Sequence, residues 1–227
     1  MAEFSVIVDG NLHSIELVND IPYEDLDVIL KFINDDRYFI EKKNEFKDFK
    51  FIGKGSYGMV YGYKGYAIKH MPVREFTEDS TECNDVAVLK DLGHLDCIPS
   101  LYAVINSNVM IVERIKGLTV RELCIEGLTN GNIIMDETFV SKWDESLLEV
   151  IENGYSPRDL HESNIMIEEH TNKPKFVDVG WFIKHGCTYD SKDSMMSNEG
   201  YQRAYDYSSY TIKGYIDKHK SSMKQAV

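Results

Sequence analysis

Cysteine is scarce and scattered in this chain: Cys83, Cys97, Cys124 and Cys187 lie far apart, with no C-x-x-C. That spacing suits neither a disulfide framework nor a zinc knuckle, and the four are expected to be buried, reduced thiols. Basic residues are also in deficit, 25 Lys and Arg against 38 Asp and Glu, for a formal charge of −13 spread over both halves. A surface of that sign does not fit nucleic acid or an anionic membrane. Apolar runs fall far short of the ~20 residues that a membrane span needs. The start Met1, Ala2, Glu3, Phe4 lacks the basic n-region of a signal peptide. A soluble, cytoplasmic protein is expected. The seven histidines show no H-E-x-x-H or other ligand spacing, which leaves oxygen-bound Mg²⁺ as the metal to consider. No repeat and no low-complexity run is visible, so solenoids and propellers are excluded.

What is present is 227 residues, 43% of them hydrophobic, enough to build one or two cored domains. Two β-branched or alternating runs, 4–8 and 12–18, flank the turn Asp9, Gly10, Asn11 and read as a hairpin. Leu26, Ile29, Leu30 and Ile33 then recur at helical spacing over Tyr23–Asn34, and 42–44 reads as a linker. Residues 1–46 are therefore expected to form an appendage. From Phe49 to Ile105 the pattern is mostly strand, broken by one helix near Glu82 to Leu92 that Ser80 or Thr81 could cap. Beyond Gly117 helical patterns take over, with Phe139, Trp143, Leu147, Leu148 and Ile151 forming one stripe over Thr138 to Gly154. The division is a sheet lobe, 47–115, and a more helical lobe, 116–227, in an α+β chain.

Gly53, Gly55 and Gly58 follow the pattern G-x-G-x-x-G. A dinucleotide fingerprint needs a helix immediately afterwards, whereas here a second hairpin follows, carrying Ala67 and Lys69. Two apart on a strand, Ala67 and Lys69 share a face. The competing reading is a solvated strand lysine. Further on, Asp159 and Asn164 stand five apart in a loop before an apolar strand, and Asp178 follows fourteen later at another strand end.

Glycines, Ala-x-Lys, Asp with Asn five later, and Asp-x-Gly, in that order, resemble the protein-kinase-like superfamily over about Phe51 to Ile183. The resemblance implies a bilobal fold, an antiparallel N-lobe sheet with one helix and a short, mainly helical C-lobe. It implies ATP and Mg²⁺ as cofactors, with Gly53, Gly55, Ser56, Gly58, Val60, Ala67 and Lys69 around the nucleotide. Val112 would be the gatekeeper, and Glu113 and Ile115 would meet adenine. Asp159 would accept the proton of the attacking hydroxyl, Asn164 and Asp178 would hold metal, and Asp85, with Glu82 as its rival, would pair with Lys69. Two surface acids on a solvated face is the other reading of Asp85 and Glu82.

The departures matter equally. Pro157 stands for the catalytic-loop His, Val179 for the Phe after the metal Asp, Asp85 for a Glu, and His161 where many members have Lys. Only 47 residues follow Gly180, without A-P-E, so the resemblance is to compact, atypical kinases of bacterial or viral type. Arg158 is expected to bond locally, to backbone carbonyls or to an acid such as Asp190 or Asp193, with no dependence on loop phosphorylation. Phosphoryl transfer to a protein Ser or Thr hydroxyl is the favoured activity, with a protein substrate or regulatory protein as partner. A small-molecule phosphotransferase and a nucleotide-binding pseudokinase scaffold are the alternatives.

Overall fold

Tight turns set the order of the first sheet. Asp9, Lys64, Asn106 and Ser107 adopt positive φ in the loops joining successive strands, the left-handed geometry that two-residue hairpins require. The computed structural model describes residues 2–34, 46–55, 58–70, 85–128, 131–133, 135–157, 159–184 and 210–218. It is a mixed α+β chain of two units, 1–78 with 100–114, and 79–99 with 115–227. No helix among the described residues is long and apolar enough to cross a membrane.

In the first unit β1 (Ala2–Val8), β2 (Asn11–Leu17), β3 (Lys50–Gly55), β4 (Gly58–Tyr63), β5 (Tyr66–His70), β6 (Leu101–Ile105) and β7 (Val109–Glu113) form one sheet. The order is β1-β2-β6-β7-β5-β4-β3, and every neighbouring pair is antiparallel. Directly opposed residues share a face. Ile15, Ile105 and Val109 form one cross-sheet row, and Ile68, Ile111 and Ala103 another. α1 (Tyr23–Asn34) covers these rows with Leu26, Ile29 and Leu30, forming the core. The segment expected as an appendage thus extends the sheet at β6 and supplies the helix over it. Asp25 is buried at the helix start, where Lys64 pairs with it and the Tyr63 hydroxyl donates at 3.4 Å. That carboxylate raises the Lys64 ammonium pKa. Phe32 stacks on Phe49 at 3.9 Å and meets Phe46 and Tyr61 edge-on.

The second unit contains α2 (Asp85–Leu92), β8 (Gly117–Thr119), α3 (Val120–Cys124), α4 (Glu137–Glu152), β9 (Tyr155–Ser156), β10 (Ile165–Glu168), β11 (Pro174–Phe176), a 3-10 turn (Val179–Trp181) and β12 (Ile183–Lys184). β10 lies between β11 and β8, and β9 pairs with β12. Asp136 caps α4 by accepting from the Thr138 amide at 2.8 Å. The helix buries Phe139, Trp143, Leu147 and Val150. Leu148 is exposed and Ile151 half-buried, which corrects the expected stripe: from Leu147 the inward face continues three residues on, at Val150. α2 is described from Asp85, so Ser80, Thr81 and Glu82 lie outside the described residues. A last helical stretch is described over 210–218, burying Ile212 and Ile216.

Phe32 is buried and makes three ring contacts. Phe32→Ala should destabilise the first unit by about 3–5 kcal/mol, read as a lower urea midpoint by far-UV circular dichroism.

Candidate functional site

Sheet register alone aligns the candidate residues of the first unit. Gly53 lies opposite Val60, Val60 opposite Lys69, and Lys69 opposite Met110. In the next row Gly62 faces Ala67 and Ala67 faces Val112. Both rows lie on the face opposite Ile68 and the α1 core, because neighbours along a strand alternate. Gly53, Val60, Ala67, Lys69 and Val112, which the resemblance names, therefore occupy one half-buried surface. Gly55 pairs with Gly58 at the tip of the β3–β4 hairpin; Ser56 lies outside the described residues.

The two glycines answer different needs. Gly58 has φ of 156°, where side chains are rarely tolerated. At Gly53 an added Cβ would meet nothing within 4 Å, so internal packing does not explain the glycine. At the end of β7 the Glu113 amide donates to Ser100 O and the Arg114 amide to Gly65 O. Ile115 is the next residue, where the chain passes into the second unit.

In the second unit two loops carry the carboxylates. One runs from β9 through Pro157 and Asp159 to β10, and the other from β11 through Asp178 to β12. β9 pairs with β12 and β10 with β11, so antiparallel pairs hold both ends of both loops. Between them lies buried Asn164. Its Nδ2 donates to Asp159 O at 2.9 Å and approaches Asp159 Oδ2 at 3.5 Å, while its carbonyl accepts from the Val177 amide at 2.9 Å. The structure thereby brings together Asp159, Asn164 and the residue before Asp178.

Asp159 and Asp178 have φ of 57° and 61°. The other described non-glycine residues with positive φ are all in loops joining antiparallel neighbours. These two are not, and such backbone costs of order 1–3 kcal/mol where nothing local demands it. Each aspartate is exposed and is followed by a buried apolar residue, Leu160 or Val179. His161 arranges the first loop further: its Nδ1 accepts from the Ser163 amide at 3.2 Å, and its Nε2 lies 4.0 Å from Asp159 Oδ2.

Sequence reasoning missed Glu162, a buried carboxyl inside this loop. Its carbonyl accepts from the Arg121 amide at 3.0 Å, and its Oε1 accepts from the Thr211 hydroxyl at 3.4 Å. It thereby anchors the loop to α3 and to the C-terminal helical stretch. The visible signal was the capping box Thr119-x-x-Glu122, which starts α3 beside it. Asp85 is buried at the start of α2, which packs on the Val179–Trp181 turn. Arg158, Glu82, Asp190 and Asp193 lie outside the described residues.

The donor set suits Mg²⁺. With Asn164 Nδ2 bound to the loop, its Oδ1 is the amide atom left for another partner, and exposed Asp178 follows the residue whose amide the Asn164 backbone carbonyl accepts. One carboxylate and one amide oxygen match a cation that keeps waters and substrate phosphates as its other ligands. Among the described residues no group of three His, Cys, Asp or Glu could hold a metal. Cys97 and Cys124 are unpaired, and burial pushes each thiol up to about 12, which removes both as nucleophiles at neutral pH.

Asp91 ties α2 to the stems of both loops, accepting at 2.7 Å from the Tyr155 hydroxyl on β9 and from Lys184 Nζ on β12. Those bonds, the Lys184 bond first, hold its pKa below the ordinary carboxylate value. A depressed folded pKa contributes stability above the unfolded value that is lost as pH falls through the folded one. Asp91→Asn should therefore lower stability at pH 7 by at most about 1 kcal/mol, the scale of an exposed pair. The gap should narrow once pH falls below about 4, in parallel urea titrations of both proteins. No protein-family model matches this chain, and no curated protein matches it.

Proposed function

We propose that the chain is a compact, bilobal kinase-like enzyme that transfers phosphate from ATP to a protein Ser or Thr hydroxyl with Mg²⁺. The observation that carries this is the pair Asp159 and Asp178, two exposed carboxylates on left-handed backbone outside any hairpin turn, bracketing one buried asparagine. Strain retained at paired carboxylates is a mark of a working site.

Bound MgATP would supply the phosphoryl group and offset its charge. The chain's own groups divide the remaining work. Asp159 takes the proton of the acceptor hydroxyl, in an orientation set by the Asn164 and His161 contacts. Asn164 Oδ1 and Asp178 hold the metal. In the first unit Lys69 binds phosphate oxygens, Gly53 lets the strand backbone approach them, and Ala67 and Val112 leave room for a flat base. Glu113 and Ile115 offer backbone groups to the adenine edge, and Asp85 is the proposed partner of the Lys69 ammonium. A protein acceptor is favoured over a small molecule because the ~40 residues between Gly117 and Asp159 leave little room for a further helical insertion. A cytoplasmic setting, with reduced thiols and ATP at hand, suits this chemistry.

Purified protein incubated with labelled ATP and Mg²⁺ should label itself or casein. Label on small molecules alone would move the assignment to a small-molecule phosphotransferase, and none with any metal would leave a nucleotide-binding scaffold. Asp159→Asn should keep nucleotide affinity while transfer falls by about 10² or more; near-normal turnover with several acceptors would make the assignment wrong. Asp178→Ala should lose Mg²⁺-dependent ATP binding. Gly53→Val should fold normally, having open space for its side chain, yet bind ATP at least about tenfold more weakly, near 1.4 kcal/mol.

A further inference from the structure

The two edges of the seven-stranded sheet are protected unequally. β3, at one end, carries Lys50 and Lys54 and a register shift between Phe51 and Gly53. Edge lysines and bulges are the usual guards against a further strand. β1, at the other end, has no lysine, no proline and no bulge, and keeps regular register with β2 through all seven of its residues. Among the described residues no strand pairs with its outer edge. Its outward amides and carbonyls are a template for another strand.

Side chains and charge favour one kind of occupant. On the α1 side, Phe4, Val6 and Val8 join Tyr23, Leu26 and Leu30 in lining a groove of about 250 Å³ beside the edge. On the opposite side Ile7 and its cross-strand partner Leu12 are 72% and 67% exposed. The charges nearby are mainly acidic. Asp9 and Asp27 border the groove, Glu3 stands opposite Glu16 on the other face, and Lys31 is paired with Asp27. A second copy would bring the same acids to the seam, from a chain of net charge −13.

We propose that the β1 edge docks an extended segment of a partner protein, in which apolar residues alternate with Lys or Arg, as an eighth strand. Main-chain bonds supply affinity, and alternate apolar side chains enter the groove. On the other face the cationic residues lay their aliphatic stems over Ile7 and carry their charge to Glu3. This docking is independent of the phosphoryl-transfer reading.

An octapeptide alternating Lys and Val is the probe, with a clustered isomer of four Lys then four Val, and a Glu-Val alternating peptide, as controls. With the full chain, the Lys-Val peptide should slow amide hydrogen exchange across Ala2–Val8 and bind at least tenfold more tightly than either control. Ser5→Pro should abolish the protection. Phe4→Ser, at an exposed position, should weaken binding at least fivefold with its thermal midpoint unchanged. Equal binding of the clustered peptide, protection on β3 instead, or unchanged affinity of Phe4→Ser overturns the proposal. So does a dimer of the peptide-free chain whose exchange protection maps to β1, which assigns the edge to a second copy.

Discussion

The hydrogen bonds of Asn164 are the constraint on which the candidate site depends. One residue binds the backbone of Asp159 through its side chain and the backbone beside Asp178 through its carbonyl. Asn164 is buried, and a side chain without an amide would remove one of the two donors to the Asp159 carbonyl, the other being the His161 amide at 2.9 Å, a loss of about 0.5–1.5 kcal/mol. Aspartate would set a second carboxylate against Asp159. On the kinase-like reading the residue serves the fold and the chemistry with different atoms, Nδ2 for the loop and Oδ1 for the proposed cation. The antiparallel pairs at the loop ends give it a fixed frame.

The sheet of the first unit works on a similar division. Ile68 and Lys69 are neighbours on β5 and point to opposite faces, so the strand that buries Ile68 under α1 must present Lys69 on the other side. Slipping β5 by one residue would bury the ammonium among Ile15, Ile29 and Ile111 and expose Ile68. Packing of α1 therefore fixes the register of the candidate nucleotide surface without contributing a side chain to it.

Loops were more legible in the sequence than architecture. Asp159, Asn164 and Asp178 stood out because the kinase-like pattern restricts residue type at fixed spacings, and the hairpins because turn residues mark them. That β2 pairs with β6 was not legible: Leu17 and Ala103 are far apart in sequence, and alternation states a strand's faces without naming its neighbour. β8 and β12 are too short, at three and two residues, to show a period. Glu162 was missed because a carboxylate in a polar loop reads as solvated until the loop is seen turned inward. The α4 stripe failed at Leu148 because a leucine beside a correct core position looks equally apolar.

Pro157 and Val179, the departures from the kinase pattern, are both buried in the structure. Neither side chain is aromatic, so neither can join its loop to the other through a ring stack. Their loops are held by other means: β9 pairs with β12, Asn164 bridges the backbones, and Asp91 bonds to Tyr155 and Lys184. Hydrogen bonds of this kind are short-ranged and directional, whereas a pair of stacked rings can slide and re-form. A site assembled from them has fewer alternative packings of similar energy. On the kinase-like reading, control is then better placed at the access of a partner to the chain than in a rearrangement of the aspartate loops, and the unguarded β1 edge lies outside those loops altogether.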